Sequence, residues 1–253
     1  MAKYIAANER EKEFLDIFNS LCETRSGWQV WTDLITAMAI ALSNALEKNP
    51  DKKAERENEF NSCIEHLGGM EKPSELFAII VTALEENPEQ DFLGGLFMKL
   101  QLGSHWHGQF FTPYNVCELM SRINLDHIKE TVGRNGYVTV NDCACGAGAT
   151  LIAAANVMRE NKVNYQNCAL FVAQDVDRIA GLMCYIQLSL LGCAGYVVIA
   201  NSLTSPTVGV DVLLPHEQKG QEFWYTPMYY RDIWHYRRVY KNIEKLFESE
   251  ETQ

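Results

Sequence analysis

Apolar residues recur every three or four positions through most of the first hundred residues. Such stripes run from Phe14 to Leu21 and from Trp31 to Leu42, a spacing that places the apolar side chains on one face of a helix. Asn49-Pro50 and Asn87-Pro88 interrupt the pattern, because the residue before a proline disfavours helical backbone. The sequence therefore predicts a helical N-terminal region over residues 1–104.

From residue 105 onward, short apolar runs alternate with helix-length segments. We predict a strand for each run, because each is short and ends in polar or turn residues; the runs cover residues 137–140, 169–173 and 196–200. Strands that alternate with helices in this way form one half of a doubly wound parallel sheet. The predicted fold class is therefore α/β, with a partial Rossmann-like unit over residues 105–253.

A glycine turn joins the first predicted strand to its helix. Gly146 and Gly148 allow the backbone to approach a ligand closely, and the start of the next helix offers unpaired N–H groups. Asp175, at the end of the second strand, is spaced to hydrogen-bond ribose hydroxyls. Its alternative role is to cap the next helix, although Asp177 directly precedes that helix and is better placed.

The turn lacks the features of a phosphate site. It has no lysine of the GxxxxGK[ST] type, and no lysine occurs between residues 130 and 161. An acidic residue ahead of a short Gly-x-Gly turn favours a ligand with an ammonium group and a ribose. S-adenosylmethionine is such a ligand.

Four segments in order resemble the N6-adenine DNA methyltransferases, especially the modification subunits of type I restriction systems. Residues 108–113, Gly-Gln-Phe-Phe-Thr-Pro, are similar to the opening motif of that family. Residues 142–148 resemble its Asp-Pro-Ala-Cys-Gly-Ala-Gly motif, with Cys143 in place of proline. Gln174-Asp175 and Asn201-Ser202-Leu203 are similar to its later cofactor motifs.

The resemblance implies a shortened S-adenosylmethionine-dependent methyltransferase fold and a set of cofactor residues. Asp175 would bind the ribose, Val176 would pack on the adenine, and Asn201 would contact the adenine amino group. The remaining implied cofactor residues, several of them at the methionine end, are Phe111, Thr112, Asp142, Cys145, Gly146 and Gly148.

The family's catalytic motif, [Asn/Asp/Ser]-Pro-Pro-[Tyr/Phe], is not intact in this sequence. In such enzymes the target base is flipped out of the duplex, the polar side chain orients its amine, and the aromatic ring stacks on the base. The nearest match is Thr226-Pro227-Met228-Tyr229, which follows the apolar run Phe223-Trp224-Tyr225. Thr226, Pro227 and Tyr229 are thus candidate catalytic residues; the alternative is a relic, or a loop with a core aromatic residue.

After Tyr229 the sequence predicts one helix, from Arg231 to Phe247, and none of the further strands that complete the family's sheet. Such a sheet has an open edge, which invites pairing, or an edge that the last helix covers. We therefore expect a second protein chain or a homodimer that completes the sheet, or a naturally shortened protein. Three functions are open. The first is N6-adenine DNA methylation of the restriction-modification type, the second is a catalytically inactive module that binds the cofactor or a partner, and the third is a small-molecule methyltransferase.

The charge distribution limits how DNA is bound. The net charge is −11, and residues 1–104 carry 10 basic and 18 acidic side chains. A protein that binds DNA by itself usually presents a basic face, so any DNA contact is expected to be local or supplied by a partner. The stretch Met228 to Lys245 has five basic and two acidic residues among aromatic ones. It fits either nucleic-acid contact or a partly buried amphipathic helix.

The remaining composition predicts a cytoplasmic protein without a metal. Eight cysteines are scattered without a CxxC pair, which favours reduced thiols. No apolar run approaches the ~20 residues of a membrane span, so no membrane association is expected. His105 and His107 have no nearby third ligand, so we expect no metal site.

Overall fold

The computed structural model describes residues 8–102 and 111–250. The first of these parts forms helices, as the spacing of its apolar residues predicts. They are α1 (Glu9–Leu21), α2 (Gly27–Asn44), α3 (Pro50–His66), α4 (Glu71–Glu86) and α5 (Phe92–Lys99).

Local sequence fixes where several of these helices begin. Asn8 and Asn49 precede α1 and α3, and each side-chain oxygen accepts a backbone N–H of the first turn. Ser26 and Gln29 form a capping box at the start of α2, in which each side chain bonds the backbone N–H of the other residue.

The second part combines strands and helices. Its elements, in chain order, are α6 (Tyr114–Asn124), α7 (Ile128–Asn135), β1 (Val138–Asp142), α8 (Ala149–Glu160), α9 (Tyr165–Cys168), β2 (Ala169–Asp175), α10 (Arg178–Leu190), β3 (Ala194–Ile199), β4 (Val208–Asp211), β5 (Leu214–His216), β6 (Glu222–Tyr225), a short 3-10 helix (Pro227–Tyr230) and α11 (Asp232–Glu250).

The main sheet has four strands in the order β1-β2-β3-β6. The strands β1, β2 and β3 are parallel, whereas β6 runs antiparallel to β3 and pairs Tyr225 with Tyr196. The strands β4 and β5 form a separate hairpin. The mixed α/β prediction is therefore confirmed, and β1 has no strand on its outer side among the described residues.

The N-terminal helices and the sheet share one apolar core. Trp31 and Phe97 from the helical region belong to the same buried cluster as Leu182 of α10 and Val197 of β3. The domain boundary after residue 104 stays a prediction, because residues 103–110 lie outside the described part of the chain.

A buried arginine also connects α3 to β6. Arg56 donates to the Phe223 carbonyl at 3.1 Å and to the Ser43 hydroxyl, and its guanidinium lies 3.8 Å from the centre of the Trp224 ring. Burial lowers the pKa of the Arg56 guanidinium, and the nearby Glu47 carboxylate opposes that shift. The last strand of the sheet is thus held by the N-terminal helices.

Candidate functional site

The turn after β1 has a backbone that only glycine adopts without strain. Gly146 and Gly148 have φ values of +53° and +98°. A side chain at Gly148 would approach the Cys184 sulfur to 2.9 Å. The turn is closed by a hydrogen bond from the Gly148 N–H to the Cys145 carbonyl at 2.8 Å. Sequence and structure therefore agree on a tight strand-to-helix turn here.

Asp175 connects this turn to the end of β2. Its Oδ2 accepts the Gly146 N–H at 2.8 Å, and its Oδ1 accepts the Asp177 N–H at 2.9 Å. Burial raises the pKa of the Asp175 carboxyl, and the two N–H donors partly offset that rise. Asp177 caps α10, as the sequence suggested, by accepting the Ala180 N–H at 2.8 Å. The Asp175 carboxylate therefore positions the glycine turn.

Gln174, near the end of β2, connects that strand to the loop that follows β3. The sequence motif did not indicate this role. The Gln174 side-chain amide donates to the Ala200 and Ser205 carbonyls at 3.2 and 2.8 Å, and its oxygen accepts the Thr207 N–H at 3.0 Å. Asn201 lies in this loop, exposed, and accepts the backbone N–H of Leu203 at 2.9 Å. Gln174 thus holds the loop that carries Asn201.

The preceding segment covers the glycine turn. Phe111 packs directly over Gly146, where an added side chain would meet its ring at 2.9 Å. The same ring stands 5.3 Å from the Phe97 ring, so α5 supports it. Thr112 follows in an exposed position. Gly108, Gln109 and Phe110 of this motif lie outside the described residues.

Two further predicted residues are accessible at the strand ends. Asp142 is partly exposed and accepts the Ala144 N–H at 3.1 Å, and Val176 is 68% exposed just beyond Asp175. Cys145 differs, because its side chain is buried and hydrogen bonding with Cys184, together with burial, raises its thiol pKa well above the usual value. The Cys145 side chain is therefore not accessible to a ligand, unlike those of Asp142 and Val176.

The glycine turn is also bonded to the helical region through Gln187 of α10. This fully buried side chain donates to the Ala147 carbonyl at 2.9 Å and to the Asp91 carboxylate at 2.8 Å, and it accepts the Leu93 N–H at 3.1 Å. Nothing in the sequence motifs indicates this role. The hydrogen bonds of Gln187 therefore link the start of α5 to the turn that follows β1.

A cleft of about 410 Å³ lies on the face of the sheet opposite α8 and α10. Cys143 and Ser202, which follow β1 and β3, contribute to its lining, so it adjoins the strand ends described above. Its volume is within the ~300–1,000 Å³ typical of small-molecule sites. The further lining residues are Thr139, Asn141, Val172, Gln174, Tyr196, Pro206, Thr207, Val208, Asp211, Val212 and Pro215.

The candidate catalytic residues lie at the other end of the sheet. Because β6 is antiparallel to β3, Thr226 comes next to the start of β3, where its hydroxyl donates to the Cys193 carbonyl at 2.7 Å and accepts the Gly195 N–H at 3.0 Å. Thr226 is fully buried, and Tyr229 is buried with its hydroxyl donating to the Leu213 carbonyl at 2.8 Å. Pro227 begins the 3-10 helix.

The structure therefore does not bring Thr226, Pro227 and Tyr229 to the strand ends that carry Asp142, Asp175 and Asn201. The direction of β6 is the physical reason, since an antiparallel strand ends where its parallel neighbours begin. The geometry supports the alternative in which this segment is a loop with a core aromatic residue.

A Thr226→Val substitution tests this placement. Valine keeps the shape but leaves the buried Gly195 N–H without its acceptor, so we expect the free energy of unfolding to fall by about 1–3 kcal/mol. We expect the affinity for S-adenosylmethionine, the ligand that the sequence motifs indicate, to be unchanged within twofold. Chemical denaturation and equilibrium dialysis with labelled S-adenosylmethionine measure the two quantities, and a tenfold loss of affinity in a folded variant would contradict the structural role.

Residues 8–102 and 111–250 contain no cluster of three or more His, Cys, Asp or Glu side chains that could hold a metal ion. His105 and His107 lie outside them. None of the helices in these ranges has the length and apolar character that crossing a bilayer requires.

Comparison with known proteins agrees with the motifs. No curated protein matches the chain. A family model described as N-6 DNA Methylase matches residues 98–244, a range that includes the glycine turn, the ends of β2 and β3, and most of α11. This match covers more than half of the chain. The protein therefore belongs to the N-6 DNA methylase family.

Proposed function

We propose that this chain binds S-adenosylmethionine at the carboxyl ends of β1, β2 and β3 and acts as an adenine-specific N6 DNA methyltransferase. The observation that carries the proposal is the hydrogen bond between the Asp175 carboxylate and the Gly146 N–H, because it joins two cofactor motifs of the matched family at one place. Binding crevices of parallel α/β sheets lie at this end of the strands.

The residues at these strand ends fit the chemical groups of the cofactor. The partly exposed Asp142 carboxylate suits the ammonium group, and the exposed apolar Val176 suits a flat adenine ring. Asp175 retains acceptor capacity for a ribose hydroxyl, because each carboxylate oxygen has two lone pairs and accepts one backbone N–H. When bound, S-adenosylmethionine supplies an electrophilic methyl group.

The family implies a DNA acceptor, and we place the acceptor side at the outer edge of β1. Thr139 and Asn141 are exposed there, and no described strand pairs with that edge. A parallel strand from a second chain or a second copy would end beside Asp142, the end at which the methyl donor is proposed to bind. Thr226 and Tyr229, at the other end of the sheet, have no part in this proposal.

Two measurements test the proposal in sequence. Equilibrium dialysis with tritiated S-adenosylmethionine is expected to show saturable binding that S-adenosylhomocysteine displaces. Incubation with unmethylated DNA is then expected to transfer label to the N6 position of adenine. Binding without transfer favours the inactive module, and transfer to small molecules but not to DNA favours the third alternative. Absence of binding at millimolar cofactor would refute the proposed site itself.

A further inference from the structure

The helix α11 carries an apolar stripe that stays exposed, and three of its residues border a groove together with Tyr137 and Leu213. The members of the stripe recur at intervals of 3, 4, 3 and 4 residues, and all of them are exposed: Ile233, Tyr236, Tyr240, Ile243 and Phe247. We call these five residues the α11 seam. This spacing is that of the a and d positions of a heptad repeat, which pack one helix against another.

The opposite side of α11 already has its own contacts. Trp234 is fully buried, and its indole N–H donates to the Gln166 carbonyl at 2.8 Å. Trp234 also contacts the Tyr137 ring and the guanidinium of Arg237. The helix is therefore attached along one face, and the α11 seam is a second apolar face that this attachment does not explain.

The charges of α11 argue against nucleic acid as the occupant of this face. Three of its four lysines and arginines contact other parts of the protein: Arg237 donates to the Gly136 carbonyl at 2.9 Å, Arg238 donates to the Tyr229 carbonyl at 2.5 Å, and Lys241 pairs with the Asp211 carboxylate at 3.6 Å. The seam itself contains no charged residue. Nucleic acid binding depends mainly on cations that face phosphates, whereas an uncharged heptad face fits another helix.

We propose that the α11 seam joins two copies of this chain through a pair of α11 helices. The same stripe on both copies makes the interface self-complementary, which is what a two-fold dimer requires. The proposal concerns a different surface from the outer edge of β1, and it does not depend on cofactor binding.

The size of the seam sets the expected strength of the dimer. Tyr236, Tyr240 and Phe247 are 69%, 65% and 65% exposed. Since a buried aromatic side chain covers about 150–250 Å², covering these three removes roughly 300–500 Å² per protomer. Ile233 and Ile243 add to this area. The total stays below the ~800 Å² per partner of a standard interface, so we expect a weak, reversible dimer.

Sedimentation velocity of the full chain between about 1 and 200 µM measures this equilibrium. We expect monomer at the lowest concentration and dimer at the highest. The double variant Tyr240→Glu/Ile243→Glu should raise the dissociation constant at least 30-fold, because four carboxylates would meet in an apolar interface. Asn242→Glu is the matched control, because it adds a charge to the same helix away from the seam. The dissociation constant of its dimer should change less than threefold.

Circular dichroism and urea denaturation on all variants establish that each remains folded. A wild-type chain that stays monomeric at 200 µM would overturn the proposal, as would a folded double variant that dimerises normally or an Asn242→Glu control that is equally impaired. A monomeric wild type whose seam variant loses DNA affinity would instead identify nucleic acid as the occupant.

Discussion

Replacing Asp175 with alanine is expected to remove most cofactor binding. The Asp175 carboxylate accepts the Gly146 N–H and the Asp177 N–H, so its loss leaves two backbone donors without their partner and releases the glycine turn. Hydrogen bonds to a charged group contribute about 1.5–3 kcal/mol each. We expect S-adenosylmethionine affinity to fall by at least 1.5–3 kcal/mol, which is about 10- to 150-fold, and the free energy of unfolding to fall as well.

The neighbouring Asp177→Ala variant is the matched control for this experiment. Asp177 caps α10 through the Ala180 N–H, so its loss should cost about 1 kcal/mol of stability. Because its side chain does not bond the glycine turn, cofactor affinity should change little. Dialysis of both variants alongside the wild type separates the two roles. Equal affinity in wild type and Asp175→Ala would mean that the β2 end does not contribute to the cofactor site.

Replacing Arg56 with alanine is expected to cause the largest loss of stability. The guanidinium bonds the Phe223 carbonyl and the Ser43 hydroxyl and covers the Trp224 ring, all in the interior. The guanidinium also pairs with the Glu47 carboxylate at 3.6 Å, and removing one partner of a buried ion pair typically costs about 3–5 kcal/mol. The free energy of unfolding, measured by urea titration, should fall by that amount. The substitution should also destabilise the pairing of β6, because Phe223 and Trp224 belong to that strand.

Arg10→Ala provides the comparison for a surface arginine. Arg10 also makes two ion pairs, with Glu13 and Glu86, but these are exposed. Exposed ion pairs contribute little to stability because solvent screens them, so this variant should be nearly as stable as the wild type. If Arg56→Ala and Arg10→Ala lowered the free energy of unfolding by similar amounts, the bond between α3 and β6 would not contribute to the stability of the sheet.

The parts of the structure that the sequence predicted are those determined by short-range chemistry. The glycine turn required Gly146 and Gly148 because of local backbone geometry, and Asp177 was identified as a cap from its position directly before the helix. The family motifs are equally local, since each is a few residues at the end of a strand. The motifs identified a family that the match over residues 98–244 then confirmed.

The parts that it did not predict depend on contacts between distant segments. An apolar run such as Phe223-Trp224-Tyr225 looks the same whether the strand is parallel or antiparallel, so its sequence could not place Thr226 at the far end of the sheet. The hairpin of β4 and β5 was also absent from the predicted elements. The individual roles assigned to the strand-end residues stay predictions until a cofactor-binding experiment is done.

The buried Gln187 side chain has a consequence for how this region fluctuates. By bonding the Ala147 carbonyl and the Asp91 carboxylate at once, it makes the opening of the glycine turn depend on the start of α5. Regions coupled in this way open as one cooperative unit and share their protection against amide hydrogen exchange. The turn and the start of α5 should therefore share one opening free energy, and ligand binding at the turn should slow exchange in α5 as well.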